Sequence, residues 1–247
     1  MAEPGNRAGR PRPDPGEEAC TGPRMLSMNQ LPGPELNQGR CAVVLTPPAR
    51  HVHLTVLSAF AETGRAPLRA ELERIARGQG ADPGAVLAEL AGRDVLAFDG
   101  SGEIRAAYPF SPSPTPIQVI WEGGPRVYAM CAIDALGISA MLDRPVTITA
   151  SEPDSGRSVT VDVDRNQARW RPRRAVVFSG AVGDADGACR ASADRSCGHI
   201  NFFTSARAAR EWAGRHPEVA GTTLVQAQAL RHGIAEFGTL MRAAGSW

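Results

Sequence analysis

Lysine is absent from this 247-residue chain: all 27 side chains in its Lys and Arg total are arginine. With Ala, Gly and Pro abundant, that absence reads as the codon bias of a GC-rich genome and assigns no chemistry. An excess of charge is missing as well. A net charge of +1 gives no bulk electrostatic attraction for nucleic acid or another polyanion. No apolar run approaches the ~20 residues that a bilayer-spanning helix needs, and no continuous apolar stretch near the N-terminus precedes a small-residue cleavage site. No membrane partner is expected, and a cytoplasmic protein is. Cysteine is sparse: Cys20, Cys41, Cys131, Cys189 and Cys197 are odd in number and irregular in spacing. This argues against a disulfide framework and for free thiols in a reducing compartment.

What is present divides into three regions. Residues 1–48 are rich in Pro, Gly, Arg and Glu and poor in large apolar side chains, the composition of a disordered tail. Over 49–112 the pattern predicts three short helices and a hairpin. Val52, Leu54, Val56, Leu57 and Phe60 give a first helix, Pro67 opens a second helix, Asp82-Pro83 starts a third, and Val95–Phe98 and Ile104–Tyr108 flank a turn at Asp99-Gly100. That is the order of a winged helix. Its third helix offers Asp82, Glu89 and Arg93, a poor surface for phosphates or base edges, so a structural role packed on the next domain is expected, not DNA binding. The Pro-rich segment 111–116 marks a boundary. Region 113–247 then alternates strand-like segments such as Val146–Thr149 and Ser158–Val163 with helices over Ala206–His216 and Gln226–Ala243. The fold class expected is α+β, an N-terminal winged-helix-like domain followed by a mixed domain of antiparallel strands and helices.

The stretch Val127–Leu142, read as a helix, sets Cys131 and Asp134 on one stripe of an otherwise apolar run. A lone Cys there is ordinarily inert core, and a buried Asp is ordinarily hydrogen-bonded to backbone or arginine. The pair together reads differently, as a proton donor beside a soft-metal ligand. Cys197 follows a loop of small and acidic residues and precedes Gly198, where access is easier. A zinc site from Cys189, Cys197 and His199 matches no closed tetrahedral spacing. His199 could serve as a base for a nucleophilic thiolate, although no nucleophile elbow or oxyanion motif accompanies it.

Tyr128-Ala-Met-Cys-Ala-Ile-Asp-Ala-Leu136, followed some sixty residues later by Cys197-Gly-His-Ile-Asn-Phe-Phe-Thr-Ser205 and a helix with Glu211-Trp212-Ala213, resembles the bacterial organomercurial (alkylmercury) lyases. The resemblance runs from about residue 50 to 240. It implies protonolysis of a carbon–mercury bond, with Cys131 and Cys197 as thiolates that transiently hold the mercury of the substrate and Asp134 as the acid beside them. It implies no organic cofactor, an organomercurial substrate, small thiols and mercuric reductase as acceptors of Hg(II), and a role in mercury resistance. Where such proteins often carry a further Cys after the second thiolate, this chain has Gly198; Met130 stands for an aromatic residue and Asn201 for a histidine. Two other readings of the same residues stay open: a soft-metal sensor or carrier, and a lyase-like enzyme acting on a metabolite without mercury.

Overall fold

The structure, a computed structural model, describes residues 43–182 and 191–241. The tail up to residue 42 lies outside the described residues, as do Cys20, Cys41 and Cys189, and with Cys189 the zinc alternative. Helix α1 (Pro47–Thr63) begins inside the segment read as tail. Pro47 and Pro48 occupy its first turn, where a missing N–H costs nothing and the fixed φ suits a helix. It buries Val52, Val56, Leu57 and Phe60 and ends at Gly64, whose φ of 73° only glycine adopts without strain. Helices α2 (Arg69–Gly78) and α3 (Pro83–Gly92) follow. The Asp82 side chain caps α3 by accepting from the Ala85 N–H at 2.8 Å.

Strands β1 (Leu96–Phe98) and β2 (Ile104–Ala107) form the expected hairpin, and the sheet continues beyond them. With β3 (Phe110–Ser111), β4 (Ile117–Ile120), β5 (Val127–Ala129), β6 (Val146–Ser151), β7 (Ser158–Asp164) and β8 (Gln167–Arg171) they make one antiparallel sheet in the order β1-β2-β3-β5-β4-β6-β7-β8. Phe60 of α1 stacks on Phe110 with ring centroids 5.1 Å apart, so the helices and the sheet share one apolar core.

Helix α4 (Ala132–Leu142) is that core's axis: every residue from Ala132 to Met141 is buried. A surface that is apolar apart from Asp134 and Ser139 suits a helix enclosed on all sides. Strands β4, β6 and β7 cover one side and α7 (Gln226–Phe237) another. The two helices meet at glycines. A Cβ at Gly137 would lie 2.5 Å from the Gly233 carbonyl oxygen, and one at Gly233 would lie 2.7 Å from the Gly137 nitrogen. A second sheet, β10-β9-β11, comprises β9 (Val176–Val182), β10 (Ile200–Phe203) and β11 (Val219–Leu224), again antiparallel. Helix α6 (Ala206–Arg215) packs Trp212 against Phe178 and Phe203 of this sheet. Among the described residues no helix is long and apolar enough to cross a membrane.

One expectation is corrected. Val127–Leu142 is not a single helix: Val127–Ala129 is strand β5, paired with β3 and β4. Cys131 is the residue that caps α4, in extended backbone at φ −155°. The β-branched Val and aromatic Tyr at the start of the stretch suit a strand, and the neighbouring strands recruit them.

Candidate functional site

Cys131 stands where strand β5 gives way to helix α4. Its approach is fixed by the Met130 N–H donating to the Pro109 carbonyl at 3.0 Å and by the Thr115 hydroxyl donating to the Ala129 carbonyl at 2.8 Å. As N-cap, Cys131 uses sulfur in place of the usual oxygen: Sγ accepts from the Asp134 N–H at 3.4 Å. Asp134 is the third residue of the helix, and a negative charge in the first turn suits the positive end of the helix dipole. Cys131-Ala-Ile-Asp134 therefore has the spacing of a capping box, with a thiol where Ser or Thr ordinarily stands. The two side chains meet through cap geometry, not through a shared helical stripe.

Cys197 reaches the same place from the opposite direction. After β9 and the short helix α5 (Ser192–Arg195) it occupies a 3-10 turn, Cys197–His199, that feeds β10. The structure brings Cys131, Asp134 and Cys197 together: one ligand atom from each lies within 4.8 Å of the others, and all three residues are buried. Among the described residues this is the one cluster of its kind. Both cysteines are free thiols. Burial pushes the Cys131 thiol well above its ordinary range, helped by its hydrogen bond to Cys197 and by the Asp134 charge; the Asp134 N–H pulls weakly the other way. Cys131 is thus a protonated thiol at neutral pH, next to a carboxylate.

A buried carboxylate secures the strand that follows Cys197. Glu152, 3% exposed, accepts at 2.6 Å from both the N–H and the hydroxyl of Thr204, just past β10. Burial opposes its ionisation, but Ser155, Thr204 and Arg157 outweigh that effect and hold its pKa at about 2. Sequence reasoning missed Glu152; the only local signal is the run of turn-formers Glu152-Pro-Asp-Ser-Gly156.

His199 does not join the cluster. It lines a surface cleft of about 540 Å³ with Gly198, Asn201, Glu152, Trp212 and His216. Its pKa is lowered, chiefly by burial. The Asn201 side chain donates to the Gly198 carbonyl at 2.9 Å, so these two residues are tied together at the cleft.

Comparison with known proteins places these observations in a family. The sequence profile described as alkylmercury lyase matches residues 110–238. Proteins named alkylmercury lyase are similar to the chain: one from Staphylococcus epidermidis, 28% identical over 123 residues, covering 50% of this chain and 55% of that protein, and one from Streptomyces lividans, 28% identical over 165 residues, covering 67% and 74%. A third, from Pseudomonas putida, is 30% identical over 112 residues, covering 45% and 51%. The chain thus spans about half the length of the first and third of these relatives and 74% of the second. A solved structure, the mercury-bound form of MerB2, is similar in fold with a TM-score of 0.63 at 24% identity, covering 79% of this chain and 93% of that one.

Proposed function

Since the chain belongs to the alkylmercury lyase family, we propose that it cleaves the carbon–mercury bond of organomercurials by protonolysis, giving a hydrocarbon and Hg(II). The observation that carries this reading is the convergence of two buried thiols and one carboxylate within 4.8 Å. Soft thiolates select soft metals over imidazole or hard oxygen ligands, and a carboxyl alongside them can supply a proton.

The geometry supports the following order. The Cys131 thiol gives up its proton as its sulfur binds the mercury of R–Hg⁺, and Asp134, as the adjoining carboxylate, takes that proton. Cys197 adds the second thiolate. Two thiolates push electron density through mercury onto the bound carbon, which becomes basic. Asp134 returns the proton to that carbon; the carbon–mercury bond breaks and its electron pair forms the new C–H bond. In sum, R–Hg⁺ and two thiols give RH, a mercury dithiolate and one proton. Small thiols then remove Hg(II) and carry it to mercuric reductase, in a reducing cytoplasm. We read residues 49–112 as a winged-helix-like domain with a structural role and 113–247 as the catalytic domain.

Replacing Asp134 by Ala is expected to lower hydrocarbon release by at least ~100-fold, the usual scale of a lost general acid, with one Hg(II) still bound per protein. Loss of stoichiometric mercury binding in that variant would contradict the assigned role.

A further inference from the structure

Cys197 is attached to the site through a segment whose own sequence does not hold it in place. Helix α5 is a single turn, and its N-cap, Ala191, has no side chain that can cap it. The first N–H groups of a helix need partners, and here they come from residues some ninety positions earlier. The Ser192 N–H donates to both oxygens of Asp94, at 3.2 and 3.1 Å, and the Ser192 hydroxyl donates to the same carboxylate. The Ala193 N–H donates to the Tyr108 hydroxyl at 2.8 Å, and that hydroxyl donates to Asp94 at 3.3 Å. Arg105 adds a two-pronged ion pair to Asp194, at 2.9 and 2.6 Å.

The groups that receive α5 are rigidly placed. Tyr108 is fully buried. Asp94 adopts a φ of 51°, and its N–H is tied to the Ala91 carbonyl at 2.9 Å at the end of α3. From α5 the restraint passes to the turn that carries Cys197. The Ser196 N–H donates to the Ser192 carbonyl at 3.0 Å, and the His199 N–H to the Ser196 carbonyl at 2.8 Å, with Cys197 between them.

We propose that Asp94 and Tyr108 are positioning residues that hold Cys197 in register with Cys131, so that the two thiols act as a chelate. The inference rests on the mercury reading of the site and deepens it by giving the α3–β2 region a task in the chemistry. A second thiolate held close binds at a high effective concentration; released from its tether, the same thiolate contributes far less. Asp94 and Tyr108 act on Ser192 and Ala193 of α5, so their effect is transmitted through where Cys197 sits. The Arg105–Asp194 pair is partly exposed, at 35% and 45% for the two side chains, and such pairs contribute little.

The test compares the full-length protein with its Tyr108→Phe, Ser192→Ala and Arg105→Ala variants, each loaded with one Hg(II) and titrated with dithiothreitol while the sulfur-to-mercury charge-transfer absorption is followed. Tyr108→Phe and Ser192→Ala are expected to release mercury at roughly tenfold lower dithiol concentration, and Arg105→Ala within about twofold of the parent. Cys197 in the metal-free Tyr108→Phe and Ser192→Ala proteins should also alkylate faster with iodoacetamide, with thermal unfolding still cooperative. Because Ser192 lies on the short helix and Ser→Ala removes one hydroxyl, that variant keeps the test open if Tyr108→Phe fails to fold. Mercury retention and alkylation equal to the parent in the folded variants would overturn the inference while leaving the proposed reaction intact. A parent that retained no mercury would overturn both, whereas one that retained mercury without releasing hydrocarbon would sink the reaction and leave the positioning to be decided by the titration.

Discussion

A thiol at the N-cap of a buried helix is under two opposed influences, and their balance decides how Cys131 can behave. The helix N-terminus and the Asp134 N–H favour the thiolate, while burial, Cys197 and the Asp134 charge favour the thiol and prevail. Alkylation of Cys131, followed by peptide mass spectrometry, is therefore expected to keep accelerating above pH 9, and Asp134→Asn, which removes a like charge, to shift that profile toward lower pH. A midpoint at or below the ordinary thiol value in the parent would contradict the balance described. The identities of these residues were legible in the sequence, because Cys131 and Asp134 stand out as reactive groups in an apolar run and Cys197 follows a loop and precedes Gly198. The manner of their meeting was not. Helical periodicity and cap spacing both bring residues three apart together, and only the strand partners of Val127–Ala129 distinguish the two.

Several elements were legible from their own residues. The Asp82-Pro83 start of α3 and the Ser205 cap of α6, which accepts from the Ala208 N–H, behave as their types dictate. Strand β8 was not legible: of Gln167–Arg171 only Trp170 is buried, so an edge strand left almost no apolar alternation to read. The crossing of α4 and α7 is likewise invisible in sequence, since two glycines 96 positions apart, Gly137 and Gly233, reveal nothing until they touch. Gly233→Ala is expected to destabilise the protein by about 1–3 kcal/mol or more, because the obstructing atoms are backbone; chemical denaturation measures this, and an unchanged midpoint would contradict the close crossing. Glu152 offers an element-level test in acid. Its pKa falls from 4.5 to about 2 on folding, so its contribution is present above pH 4.5 and is lost as pH falls toward 2, on the order of 2 kcal/mol after solvent screening. Thermal unfolding of Glu152→Gln should therefore depend less on pH across that window than the parent; parallel profiles would show that the carboxylate does not hold β10 in place.

At the scale of the whole molecule, the reactive cluster lies where separate parts of the chain converge. Strand β5 and helix α4 deliver Cys131 and Asp134, the second sheet and α5 deliver Cys197, and Asp94 with Tyr108 joins the early helices to that delivery. Sequence patterns could suggest each part but not their convergence, because contacts spanning 85 and 98 residues leave no local periodicity. The function proposed for this convergence is protonolysis with a proton exchanged through Asp134. Its most direct test is incubation of the reduced protein with phenylmercury and excess small thiol in D₂O, with the released benzene followed by gas chromatography and mass spectrometry. Many turnovers of benzene carrying a single deuterium are expected, slowed at least ~100-fold by Asp134→Ala. Stoichiometric mercury binding with no benzene, or undiminished turnover in Asp134→Ala, would contradict that reading.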